Sequence, residues 1–316
     1  MAANPEGKQD LQGQLTYLNL LAKGFLSVGK LLLFDFKDVK RFRKTSPLER
    51  HYVRPPRRYE IPEYSPDMRH CTSNEKFLHP TRHCNCRAPD VIAIAHSLGA
   101  YQVSDLEFTQ AAFEFAKEKM TLEIAPIVGV EEILQRGTGT CFELITVFIA
   151  LCRAAGIKAR YKIFATHMIQ AWRNGTIDAD PLLNKWYDSL GYFLLEGEGE
   201  AYVDGKWMVA HVGPTAERQA SAGIPITRLG EDALGIWFTA RPGSIMLLES
   251  LPAGLAAGSR ILHKISPGTM ERVNVSVLNE NEKGREIIEN AGGVQAYDQR
   301  VRAELLKQSS NSKNQS

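Results

Sequence analysis

Cys141 closes the run Gly137-Thr138-Gly139-Thr140-Cys141, directly ahead of a long apolar stretch that reads as a buried helix. Two glycines end a loop, and the thiol comes at the helix's first turn. Unpaired N–H groups there favour an anion, so such a position is expected to lower a cysteine pKa and make the sulfur nucleophilic. Nucleophilic work also needs a base for the thiol proton and a group that orients the base. The titratable groups that could supply these lie further along the chain. They are His167, His211 and the alternating run Glu196-Gly197-Glu198-Gly199-Glu200. Alternating acids and glycines also fit an exposed edge strand with solvated carboxylates.

The elements that must position these groups read as helices first and strands after. Helical spacing predicts a helix over about 11–42, and Pro47 to Pro66 reads as an extended Pro- and Arg-rich connector. Further helices are expected over 90–98, from the cap at Ser104 to Met120, over 130–134, and from Cys141 to Ala155, where Gly156 stops the last. The period then shifts to that of strands at 158–166 and 192–195. A hairpin follows over Glu200 to Ala210, with Asp204-Gly205 at its turn. Helices followed by antiparallel strands is the α+β pattern. Trp172, Trp186 and Tyr187 fall in the insertion between strands, where they would wall a pocket or anchor packing. A terminal helix near Val294 to Leu306 precedes a polar tail, 309–316, expected to be disordered.

Composition narrows the classes. Of 316 residues 44% are hydrophobic and 23% charged, ordinary for a packed domain, and the formal charge of +2 makes no case for nucleic acid. Leu15 to Phe34 is interrupted by Asn19, Lys23 and Lys30. It falls short of the roughly 18 uninterrupted apolar residues of a span, so no membrane is expected. Five cysteines without an export signal suggest free thiols in the cytoplasm. Cys71, His79, His83, Cys84 and Cys86 cluster in sequence but lack paired CxxC spacing, so reduced thiols are expected there.

From about Phe77 to Thr215 the chain resembles the transglutaminase-like superfamily, which also takes in arylamine acetyltransferases and peptide N-glycanases. The resemblance rests on the glycine loop before Cys141 and on Ala150-Leu151-Cys152-Arg153-Ala154-Ala155-Gly156-Ile157-Lys158-Ala159-Arg160. It also rests on the hairpin Glu200 to Trp207 and on Gly213-Pro214-Thr215. It implies an α+β, transglutaminase-like fold over 67–240. To this would be added an N-terminal helical extension and connector (1–66), a C-terminal addition packed on the core (241–308) and the tail 309–316. The implied activity is Cys141-dependent acyl or amide chemistry, hydrolysis or transfer, on a small-molecule or peptide substrate without a cofactor.

The family's catalytic His would fall at Glu196, and its Asp at His211 or Gly213. Several site readings follow. In one, Glu196 and His211 replace the missing pair. In another, His167 is the base, oriented by Asp178 or Asp180. In a third, Cys141, Glu196 (or Glu198) and His211 hold Zn²⁺ or a similar divalent metal for lyase, isomerase or hydrolase chemistry. In a fourth, the fold survives as a non-catalytic binding module. The sequence carries no oligomerisation motif.

Overall fold

The structure, a computed structural model, describes residues 5–44, 50–234 and 238–313. Its first part is helical: α1 (Pro5–Phe34) and α2 (Phe36–Phe42), which meet at a bend of 94°. Residues 50–66 of the connector run without regular structure, as its prolines require, while 45–49 lie outside the described residues. No single helix among the described residues is long and apolar enough to cross a membrane.

The core is organised around one helix. Helices α3 (Pro89–Ser97), α4 (Asp105–Glu114) and α5 (Val130–Arg136) surround α6 (Cys141–Ala154). From Phe142 to Ala154 every residue of α6 is buried. A helix apolar on all sides is stable only inside a core, and the composition of this one demands that place. The Ser104 and Glu107 capping box starts α4. Its last turn continues as a π-helical turn, Phe115–Lys119. The short strands β1 (Thr121–Leu122) and β2 (Thr138–Gly139) pair in parallel and fix the loop ahead of Cys141.

The main sheet is built on β3 (Ala159–Met168) and β4 (Phe193–Val203), separated by α7 (Gln170–Thr176) and α8 (Pro181–Leu190). β4 forms a hairpin with β5 (Lys206–Ala210). Asp204 and Gly205 both take positive φ at the turn, the geometry that matches strand twist. After α9 (Ala216–Ser221), β6 (Phe238–Ala240) and β7 (Met246–Leu248) both pair with β3. All pairings in this sheet are antiparallel, in the order β5-β4-β3-β6. The fold is therefore α+β. α10 (Leu255–Ile265), α11 (Pro267–Asn290) and α12 (Val294–Lys313) complete the chain, with α11 packed mainly on α9. Sequence periodicity did not disclose α11, whose apolar positions are diluted by Asn, Glu and Ser. Helix α12 runs beyond the expected 294–306 to Lys313, and 314–316 lie outside the described residues.

Candidate active site

The alternating run in β4 resolves into two faces of an interior strand, not an edge. Gly197 and Gly199 face α6: a Cβ at Gly199 would stand 2.7 Å from the Phe148 ring, and one at Gly197 3.2 Å from Phe142. Glycine is what lets the sheet lie against these aromatic side chains. The three glutamates turn to the other face, where the β3–β4 register sets each opposite one residue of β3. Glu200 meets Arg160, which donates to it at 2.6 Å and stacks on Trp207 at 3.8 Å. Glu198 meets Lys162, with 3.0 Å between the charged atoms. Glu196 meets Phe164. The third rung of this ladder thus lacks its cation.

Glu196 finds other company. It is buried, accepts the Gly197 N–H at 3.1 Å and packs beside Cys141, the two sharing Gly213 as a neighbour. Burial without a neighbouring cation, with Glu198 close by, pushes its carboxyl up to about 7. The same carboxyl acts on the sulfur. Burial, then the Glu196 charge, hold the Cys141 thiol well above its ordinary range, although the Phe142 N–H at the helix start favours the thiolate. The depressed pKa expected from the helix terminus is therefore reversed. The physical reason is local: the sulfur is desolvated by burial, and against the one N–H that the first turn brings to it stand two carboxylates, Glu196 and Glu143.

The loop and the helix start are rigidly held. Thr140 caps α6 in a reciprocal box with Glu143, whose carboxylate also accepts the Val128 N–H and pairs with Arg136 at 2.6 Å. On the opposite side the segment after β5 presses on the site. A Cβ at Gly213 would lie 2.9 Å from the Cβ of Cys141 and 3.5 Å from a Glu196 oxygen. No side chain fits there, so the place where the resemblance would put an orienting aspartate is closed.

His211 lies two residues before Gly213, fully buried. Its ring stands edge-on to Phe238 at 5.3 Å between centroids, and its Nδ1 is 3.4 Å from the Thr227 hydroxyl. Its Nε2 has no hydrogen-bond partner among the described residues. Burial, aided by the nearby Lys117 and Lys162 charges, holds its pKa well below the ordinary value and keeps the ring neutral. His167 sits exposed near the end of β3, its ring 6.3 Å from that of Tyr192. Asp178 pairs with Arg173, and Asp180 caps α8 and binds Arg272. The structure thus places Cys141 beside Glu196 and shows no bond from either to His211 or His167. It also turns Asp178 and Asp180 to structural partners. Trp172 stacks on Phe238 and under Arg218, as a packing anchor does.

Lys117 escaped the sequence reading. It sits in the π-helical turn, fully buried, and donates to the carbonyls of His211 (2.8 Å) and Pro214 (2.9 Å) and to the Thr227 hydroxyl (2.8 Å). Burial lowers its ammonium to about 7. Those bonds brace the turn that carries Gly213. The only trace in sequence is a lysine inside an otherwise apolar helix face, Phe113 to Met120.

Among the described residues no three His, Cys, Asp or Glu side chains converge in an arrangement able to hold a metal ion. The Cys141, Glu196 and His211 set does not fit one, since the imidazole turns toward Thr227 and Phe238. All five cysteines are free; Cys84 and Cys86 are buried, their sulfurs directed at the carbonyls of Thr146 and Leu78.

Residues 92–210 match the transglutaminase-like superfamily. One solved structure, of a candidate cysteine protease from Cytophaga hutchinsonii, aligns at 17% identity with a TM-score of 0.32. It covers 54% of this chain, and the chain spans about half (51%) of that protein's length. Comparison with curated proteins gives no match.

Proposed function

We propose, for a chain whose residues 92–210 form a domain of the transglutaminase-like superfamily, a cysteine-dependent acyl-transfer activity run by a Cys141–Glu196 pair. The observation that carries this reading is the packing of a helix-terminal thiol and a buried carboxyl, held at about 7, against the same glycine, Gly213. Near neutral pH such a carboxyl is half ionised, the condition for an efficient base. As the sulfur attacks an ester or amide carbonyl, the Glu196 carboxylate takes the thiol proton. The protonated carboxyl then returns that proton to the departing alcohol or amine, leaving a thioester on Cys141. A water whose proton passes to Glu196 releases the acid and restores the thiol; an amine in place of water gives transfer.

The thiol's high pKa requires that deprotonation and attack occur together, since a resting thiolate beside an ionised Glu196 is disfavoured. The Phe142 N–H favours the negative sulfur. His211, neutral and turned away, and Lys117 hold the segment that closes the site.

The test uses 4-nitrophenyl acetate with the full chain, followed by peptide mass mapping. Acetylation on Cys141, absent from Cys141→Ser, supports the reading. Acetylation confined to other residues, or equal in the variant, removes it.

A further inference from the structure

Helix α1 carries two apolar faces. Tyr17, Leu20 and Ser27 are buried and fall at the helical spacing of one stripe, with the Tyr17 hydroxyl donating to the Ala253 carbonyl. The opposite face is also apolar yet exposed: Leu15, Leu18, Phe25, Leu26 and Leu33, with Phe25 73% and Leu33 78% accessible. At about 100° per residue these five side chains cluster on one arc turned away from the buried stripe. Lys23 and Lys30 lie beside that arc, both exposed. Phe34 and Phe36 extend the apolar surface across the bend into α2, at 82% and 60% exposure.

Charge gathers in the same place. From Leu15 to Lys44 there are seven Lys and Arg and two Asp, whereas the entire chain has a net charge of only +2. The two acids, Asp35 and Asp38, are both occupied by Lys185. Lys23, Lys30, Lys37, Lys40, Arg41 and Arg43 are exposed, and among the described residues none forms a salt bridge, Arg41 sensing only the charge of Asp38.

We propose that α1 and α2 form a docking surface for an anionic lipid bilayer, lying in its interface plane without crossing it. An exposed apolar arc flanked by lysines is the pattern of an in-plane helix: apolar side chains enter the acyl boundary while ammonium groups stay at the headgroups. Self-association through the same face would bring two strongly basic surfaces together, which like-charge repulsion opposes. A neutral apolar partner would leave the basic flank unmatched. An anionic surface satisfies both features at once.

The test is flotation of the full chain with vesicles of phosphatidylcholine alone or mixed with phosphatidylglycerol. The protein floats with the mixed vesicles and stays behind with the neutral ones, and added salt weakens the attachment. Lys23→Gln with Lys30→Gln lowers partitioning about thirtyfold, two interfacial charges being lost. Phe25→Ser with Leu33→Ser abolishes it, while circular dichroism and Cys141 alkylation stay as in the unaltered chain. Three results overturn the proposal: no flotation with anionic vesicles at low salt, equal flotation on neutral ones, or a dimer in solution that Phe25→Ser with Leu33→Ser converts to a monomer.

Discussion

Replacing Glu196 by Gln should make the protein more stable at alkaline pH, by an amount the site's own geometry sets. A carboxyl held at about 7 instead of its ordinary 4.5 is one whose ionised form is disfavoured in the fold. The difference corresponds to about 3 kcal/mol as an upper bound. The sign follows from proton binding. Between pH 4.5 and 7 the folded state retains a proton that the unfolded chain has released, so stability falls as pH rises through that window and levels off above it. Glutamine does not titrate, and it keeps an oxygen for the Gly197 N–H. Urea unfolding of both proteins from pH 5 to 8 gives the difference directly. Glu198, also raised to about 7, titrates in both proteins and cancels. The variant should gain 1–3 kcal/mol on the original across this range. A difference independent of pH, or one that shrinks as pH rises, would refute the claim that Glu196 is buried without a compensating cation.

Three further outcomes are expected. Iodoacetamide should label Cys141 more slowly than free cysteine at pH 8, because burial and the Glu196 charge oppose the thiolate. Gly213→Ala should cost about 1–3 kcal/mol by thermal or urea unfolding and slow acylation of Cys141 at least about tenfold, since its Cβ must displace the cysteine. Lys117→Met should destabilise by about 2–4 kcal/mol, leaving two carbonyls and a hydroxyl without their donor. Hydrogen exchange localised to 211–215 would show whether that loss is felt in the site segment.

The helix order, the hairpin turn and the position of Cys141 were legible in the sequence because each depends on local chemistry. Period, caps and Asp-Gly at a turn speak within a few residues. The role of Glu196 was not legible, because it depends on register. The same alternation serves Glu200 and Glu198, and only cross-strand pairing shows that Arg160 and Lys162 face two of the acids while Phe164 faces the third. The direction of the Cys141 shift was misread for a similar reason. A helix terminus is visible in sequence, whereas a carboxyl brought from a strand 55 positions later is not. Gly213 explains the altered motif in steric terms, since any side chain there meets the Cys141 Cβ.

The pH dependence of Cys141 acetylation by 4-nitrophenyl acetate, measured in the unaltered protein and in Glu196→Gln, tests the Cys141–Glu196 pair most directly. The account expects a rate that rises through a single ionisation near 7, and a variant that loses that ionisation and most of the rate. His167→Ala and His211→Ala should keep the same inflection. A profile that Glu196→Gln leaves intact, or one that disappears with either histidine, would contradict it.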